Sequence, residues 1–435
     1  MSRLTTSNRR AIRLRGVLVS SGLSFKSVSR YHIKVSIDSR DFKVLESIVG
    51  RDPGILDKMA FFTSFLKAPC SVRGRGRVSS GYQASFRCFN LLDRVVEDGD
   101  TLLRWISRDT ALRRGFTGLD VAGPEKASPN WVFSLPFVVL RSVISSMLRS
   151  RLASSYHAGE DYISLFRGLR SIYETIVLIP RGRGDRIGHG YALGLHPLVS
   201  GAGLQPAQEV LEDLVWEYML YSSGVLDDPG YRVLSSLETG IYNLSSKIYS
   251  RPYKPEAIWD GYKALFNIPA LASNLTGLNS PLEPWQSILL HYYNTLTSMA
   301  RRHGYPYKSI NKPIHVGDDA SSYLNSYLTS REAITRGSTP VQVKGFIGPN
   351  PLRRTREIRD YLIGEIRRNN LLIEVCPSSN AALHNLDHPV QHPLLNYLRR
   401  EGIADELVVI GTDDPGILNT DIALDSYYSR NISRV

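Results

Sequence analysis

Leu152-Ala153-Ser154-Ser155-Tyr156-His157-Ala158-Gly159-Glu160 is a short strand-like run whose last four residues hold an imidazole, a glycine and a carboxylate. Five other runs share its plan, with apolar residues closed by polar ones or glycine: Tyr31 to Ile37, Gly115 to Ala122, Asp185 to His189, Leu371 to Cys376 and Glu406 to Gly411. Helical patterns separate them, and such alternation is the mark of a parallel α/β architecture. In most of these runs the chemically suggestive residues fall at the C-terminal end, where a (β/α)8 TIM-like barrel carries its active site.

From about Gly201 to Glu365 the texture changes. Apolar residues recur at helical spacing in Val210, Leu211, Leu214, Val215, Tyr218 and Met219, and again in Ile288, Leu289, Tyr292, Leu296 and Met299. Breaks such as Asp228-Pro229-Gly230, Gly304-Tyr305-Pro306 and Gly348-Pro349-Asn350-Pro351 punctuate them. The reading is an α/β barrel in two parts, residues 1–199 and 366–435, around a large, mostly helical insertion over 200–365.

The composition, 42% apolar and 22% charged, is that of a globular chain. Its most apolar stretch, Trp131 to Ile144, is broken by Ser134, Pro136, Arg141 and Ser142, short of the roughly 20 apolar residues a membrane span needs. No membrane is expected. Cys70, Cys88 and Cys376 make no close pair, which argues against a disulfide framework or a thiolate metal site and fits a reducing, cytoplasmic setting. The net charge of +12 suits an anionic partner, with nucleotide or RNA foremost. Arg73-Gly74-Arg75-Gly76-Arg77 and Arg181-Gly182-Arg183-Gly184 set glycine beside guanidinium groups suited to phosphate, and read equally as solvated loops. The first 30 residues are basic and carry no acid; a basic helix leading into the strand at Tyr31 is favoured over a transit peptide.

Taken one at a time, the chemical residues have ordinary readings. His157 with Glu160 offers a neutral imidazole to a metal and a carboxylate for proton transfer, but also resembles a helix start. His189 lies between Gly188 and Gly190, whose small size lets the ring approach a ligand closely. Asp413 and Asp414 close the run Leu407 to Thr412 before Pro415, which is also common turn chemistry. His384, His388 and His392 stand at four-residue spacing, but Pro389 and Pro393 argue against a continuous helix and for a surface loop near the barrel mouth.

In chain order, His157-Ala158-Gly159-Glu160, Arg186-Ile187-Gly188-His189-Gly190, Glu374-Val375-Cys376-Pro377-Ser378-Ser379-Asn380 and Thr412-Asp413-Asp414-Pro415 resemble the motifs of the metal-dependent adenosine deaminase family. Those motifs are His-Ala-Gly-Glu, Ile-Gly-His-Gly, Cys-Pro-x-Ser and Thr-Asp-Asp-Pro. Gly118-Leu119-Asp120-Val121-Ala122-Gly123-Pro124-Glu125 is similar to a further one, Asp-Leu-Ala-Gly-Asp-Glu, with Pro124 in place of its second Asp. The resemblance spans roughly residues 30 to 199 and 366 to 425. It implies a zinc-dependent hydrolase that converts an adenine nucleoside, nucleotide or RNA adenine to the inosine form with release of ammonia. It further implies that His157 and Asp413 ligate Zn2+, that Glu160 protonates the purine N1 and that His189 positions and deprotonates the attacking water. Asp414 would bind N7, and the Gly123 amide would bind N3. Such chemistry needs a carboxyl group kept protonated by its surroundings. Cys376 would shape the pocket and bind no metal.

The family's zinc site also takes a His-x-His pair from a first barrel strand, which this chain lacks; His32 is its only N-terminal histidine. Only about twenty residues follow Pro415, so the barrel is expected to be incomplete, with the first strand and the closing helices absent. The long insertion makes the chain look like the deaminase subunits of the RADAR anti-phage defence assemblies. That likeness implies a homo-oligomer and an ATPase partner. The alternative is a catalytically silent scaffold that uses the insertion for assembly.

Overall fold

The computed structural model describes residues 31–36, 59–70, 86–108, 110–178, 185–196, 203–227, 230–275, 281–307, 314–342, 351–411, 413, 425 and 428–429. The basic N-terminal segment, both Arg-Gly runs and Asp414 lie outside these residues. In chain order the described elements begin with β1 (Tyr31–Ser36), β2 (Met59–Leu66), α1 (Phe89–Arg108), α2 (Thr110–Gly115) and β3 (Phe116–Ala122). Next come α3 (Ser134–Leu148), β4 (Ala153–Ala158), α4 (Leu165–Leu178) and β5 (Arg186–His189). A helical region follows, comprising α5 (Ala207–Ser222), α6 (Tyr231–Tyr249), α7 (Pro255–Leu265), α8 (Ile268–Leu275), α9 (Pro284–Arg302), α10 (Asp318–Thr329), α11 (Arg331–Gly337) and α12 (Pro351–Arg368). Two short strands, β6 (Leu204–Pro206) and β7 (Pro340–Gln342), pair antiparallel at its ends. The chain then returns through β8 (Leu372–Val375), α13 (Pro377–Leu383), α14 (Pro393–Arg400), α15 (Ala404–Leu407) and β9 (Val408–Ile410).

Seven strands make one sheet in the order β1-β2-β3-β4-β5-β8-β9, with every pairing parallel. The class expected from the sequence, α/β with a parallel sheet, is therefore present. Among the described residues the sheet is an open run with β1 and β9 at its edges. The strand missed by the sequence reading is β2, Met-Ala-Phe-Phe-Thr-Ser-Phe-Leu, whose Phe61, Phe62, Thr63 and Phe65 are all buried. A strand apolar on both faces has no alternation to betray it.

The two sheet faces differ in chemistry. Leu119, Val121, Tyr156, Ile187, Ile373 and Val375, each at most 2% exposed, look toward the helices. Period-two alternation sends Ser64, Asp120, Ser155, His157, Arg186 and Glu374 to the opposite face. Arg186 there donates to Glu374 at 3.3 Å and sits 5.4 Å from the centre of the Phe62 ring, which belongs to a strand three positions away.

Two further expectations need correction. Cys70 and Cys88 form a disulfide with Cα atoms 4.3 Å apart, although 18 residues separate them in sequence; the fold brings the end of β2 to the start of α1. The apolar stretch at Trp131 extends as helical structure over Asn130–Leu148, long and apolar enough to cross a membrane. It is 72% buried, as a core helix would be.

The helices between β5 and β8 are joined to the sheet layer by buried charge. Arg170 on α4, only 1% exposed, reaches Glu174 (2.9 Å), Glu212 (2.7 Å), Glu209 (2.7 Å) and Asp213 (2.7 Å), the last three on α5. Burial opposes its charge, but Asp213, Glu174 and Glu212 outweigh that and hold the guanidinium well above its usual range. A second buried pair, Glu217 with Arg354, ties α5 to α12.

Burial pushes the Glu217 carboxyl up to about 7 from 4.5, against the pull of Arg354. The folded chain thus holds this proton more tightly than the unfolded chain. The stabilisation is complete below the unfolded value and is lost as pH rises through about 7. The thermal midpoint is expected to rise by about 1–2 °C from Glu217 alone as pH is lowered from about 8 to about 6. Glu217→Gln should remove that increment, as thermal unfolding of both proteins at both pH values will show.

Candidate functional site

The C-terminal ends of β3, β4, β5 and β9 bring together most of the residues singled out from the sequence. In the register of β4 and β5, His157 stands opposite Gly188 and Ala158 opposite His189. Strict alternation would send His189 toward the helices with Ile187. Instead its φ of 68° breaks the alternation, and the ring lies 4.7 Å from that of His157, edge to face. A left-handed histidine costs about 1–3 kcal/mol, and such strain gathers at sites where geometry is over-determined. Gly188 is required for a different reason: a Cβ there would lie 2.7 Å from His157 Cδ2 and 3.1 Å from its Cα.

Glu160 completes the group. Its Oε1 lies 2.9 Å from His189 Nδ1, and ligand atoms of His157, Glu160 and His189 lie within 4.8 Å of one another. With Oε1 as the acceptor of this contact, Nδ1 carries the imidazole proton and Nε2 presents its lone pair. That Nε2 is 4.0 Å from Asp413 Oδ1. Asp413, itself left-handed at φ 58°, accepts from Ser379 Oγ at 2.8 Å through its other oxygen. Gly123, with φ 98°, follows β3 at this same end of the sheet, beside Lys67. The structure therefore brings together His157, Glu160, His189 and Asp413 and places Gly123 at the same sheet end; Asp414 is outside the described residues.

Residues to which sequence reasoning gave no role support the group. Asp120, on β3, is fully buried; Oδ1 stands 3.8 Å from His157 Nε2 and Oδ2 accepts from Ser64 at 2.8 Å. Glu125 accepts from the amides of Gly159 (2.8 Å), Glu160 (2.6 Å) and Asp161 (3.2 Å) and from Ser171 Oγ (2.9 Å). This fixes the backbone that carries Glu160. Lys67 donates to the His157 carbonyl at 2.8 Å, and burial lowers its ammonium to about 8 despite the nearby Glu125. The signal for Asp120 and Glu125 was available in Gly118 to Glu125; Lys67 stands in no motif.

The three spaced histidines are not simply a surface loop. His392 is fully buried and His384 half-buried, its ring stacked on Tyr191 with centroids 3.8 Å apart. Only His388 is exposed, where it caps a short 3-10 turn. Pro389 and Pro393 begin helical turns rather than interrupt one, because proline's fixed φ and missing N–H suit the first helical position. Cys376 is buried at the start of α13.

The donor set suits a divalent cation that takes nitrogen and oxygen ligands. At bond lengths of about 2.0–2.2 Å, two ligand atoms on one ion lie no more than about 4.4 Å apart. The His157–Asp120 separation of 3.8 Å meets that limit. No known family model matches the chain, and no curated protein matches it.

Gly188→Ala is expected to displace the His157 ring, lowering stability by about 1–3 kcal/mol, as overpacking does. Thermal unfolding of both proteins measures the loss.

Proposed function

We propose that the chain is the catalytic part of a zinc-dependent purine deaminase with a (β/α)8-type barrel, acting on an adenine nucleoside or nucleotide. The observation that carries this reading is the meeting of His157, Glu160, His189 and Asp413 at one end of a parallel sheet. The Arg186–Phe62 contact across three strand positions supports a curled sheet. The described residues supply seven strands of this sheet, and a barrel of eight would take one more between β9 and β1, where the family's His-x-His pair belongs.

His157 and Asp413 would hold the metal, with Asp120 adjoining. When bound, zinc lowers the pKa of a water ligand to about 7, as hydrolytic attack at neutral pH requires. The protein's own groups handle the protons. His189, with Nε2 unprotonated, takes one proton from water as its oxygen bonds to C6. Glu160, carrying its proton on the oxygen that faces away from His189, supplies the proton that N1 gains; the C6–N6 bond breaks as the second water proton leaves with ammonia, and the proton left on His189 passes back to Glu160, 2.9 Å away, so that both groups regain their starting forms. Glu160 stands beside His189 at 2.9 Å, so the acid and the base work on neighbouring atoms of one ring. The Gly123 amide would bind N3.

The test is ammonia release from adenosine, AMP and ATP together with zinc content. Glu160→Gln is expected to lower kcat by about 10²–10⁴-fold with zinc retained. His157→Ala is expected to lose both zinc and activity. A folded, zinc-loaded protein inactive on all three substrates would reject the deaminase reading and leave the scaffold one.

A further inference from the structure

The hydrogen bonds behind Glu160 run in one direction. The Leu395 amide, in the first turn of α14, donates to His392 Nδ1 at 3.3 Å. A neutral ring that accepts at Nδ1 has its only N–H at Nε2, and Nε2 meets Asn380 Oδ1 at 2.9 Å. The orientation of the Asn380 amide follows. Its Nδ2 faces Glu160 Oε1 at 2.8 Å, with His189 Nδ1 3.1 Å away. A flipped amide would let Oδ1 accept from His189 Nδ1, 3.1 Å away, but would set Oδ1 against a carboxylate oxygen and Nδ2 against the His392 donor, two repulsions against one gain in a buried place.

His392 and Asn380 are both fully buried. Burial, with His189 and His384 adding to it, lowers the His392 imidazole to about 3, so the ring stays neutral in the folded chain at ordinary pH. Asn380 and His189 both meet Glu160 at Oε1. No hydrogen bond reaches Oε2 from the described residues, and that oxygen is left to face a ligand.

We infer that Asn380 and His392 are positioning residues: the N-terminus of α14 sets the tautomer of His392, His392 sets the orientation of Asn380, and Asn380 holds Glu160 against His189 with one oxygen free to transfer a proton. The catalytic consequence rests on the deaminase reading; the orientation of the groups does not.

The test compares His392→Ala, His392→Gln, Asn380→Ala and the double alanine variant. His392→Ala is expected to lower kcat by about 10–100-fold, the usual cost of losing a group that orients a reacting one, with zinc content unchanged. KM should stay within about twofold, because substrate contacts are untouched. His392→Gln, which restores an N–H donor, should recover most of the loss. The double variant should be little worse than Asn380→Ala, since the two residues act in series. Wild-type kcat in His392→Ala, multiplicative losses in the double variant, or a folded His392→Gln without recovery would each overturn the inference.

If wild-type protein deaminates none of the substrates, or His392→Ala does not fold, 15N spectra of histidine-labelled wild type and Asn380→Ala decide. His392 is expected as the neutral Nε2–H form and His189 as the Nδ1–H form, with the His189 signals changed in Asn380→Ala. A different His392 tautomer, or His189 signals indifferent to the substitution, would reject the relay whatever the protein's activity.

Discussion

Arg170 carries the arrangement of the whole molecule. A guanidinium shut away from water is tolerable only if carboxylates surround it with good geometry, and removing partners from such a cluster is far costlier than forming it is rewarding. Its carboxylate partners come from α4 itself and from α5, with the Tyr262 hydroxyl of α7 beside them, so the first helix after the Glu160 loop is tied to the first long helix after β5. The next residue on α4, Ser171, donates to Glu125, which in turn holds the Gly159, Glu160 and Asp161 amides. Glu174, one turn on, binds Asn130, whose backbone and side-chain oxygens accept from Tyr156 on β4. The helical region is thus connected to the Glu160 backbone by a few consecutive polar contacts, each buried enough to resist displacement by water.

The site at the sheet end depends on exceptions to regular structure. Alternation alone would part His157 from His189; the left-handed turn at His189 reunites them, and Gly188 leaves room for the rings to meet. Asp413, three residues past the end of β9, is left-handed as well. Strands deliver these residues to a common height, and single backbone inversions aim the last side chains. Strain confined to one or two positions is affordable because the surrounding sheet is fully paired on its inner strands.

Much of the fold was legible because parallel strands ending in chemistry are conspicuous: the six runs read from the sequence correspond to β1, β3, β4, β5, β8 and β9. β2 was not, because burial on both faces leaves a strand without a period and its end bears no motif. His157, Glu160, His189 and Asp413 were readable from short motifs, each too weak alone. Their supports were harder. Asn380 and Glu125 look like ordinary polar residues until distant elements meet them. His392 was misread because its neighbouring prolines were taken to break a helix that they in fact begin. The Cys70–Cys88 bond was invisible for the same reason as β2: nothing local marks two residues that only tertiary folding brings together.

The long apolar helix α3 has a consequence for how the chain is made. One side of α3 packs on α1, which precedes it, but another is covered by α8 and α9, which end at Arg302. Ser134 at its start donates to the Leu265 carbonyl at the end of α7, and Trp131 just before it donates to Tyr327 on α10. At usual translation rates these covering segments emerge from the ribosome some 10–30 s after α3 does. During that interval a stretch apolar enough for a bilayer stands half uncovered. Until the helices between β5 and β8 have been synthesised, the groups that cover this side of α3 in the folded protein are absent from the nascent chain.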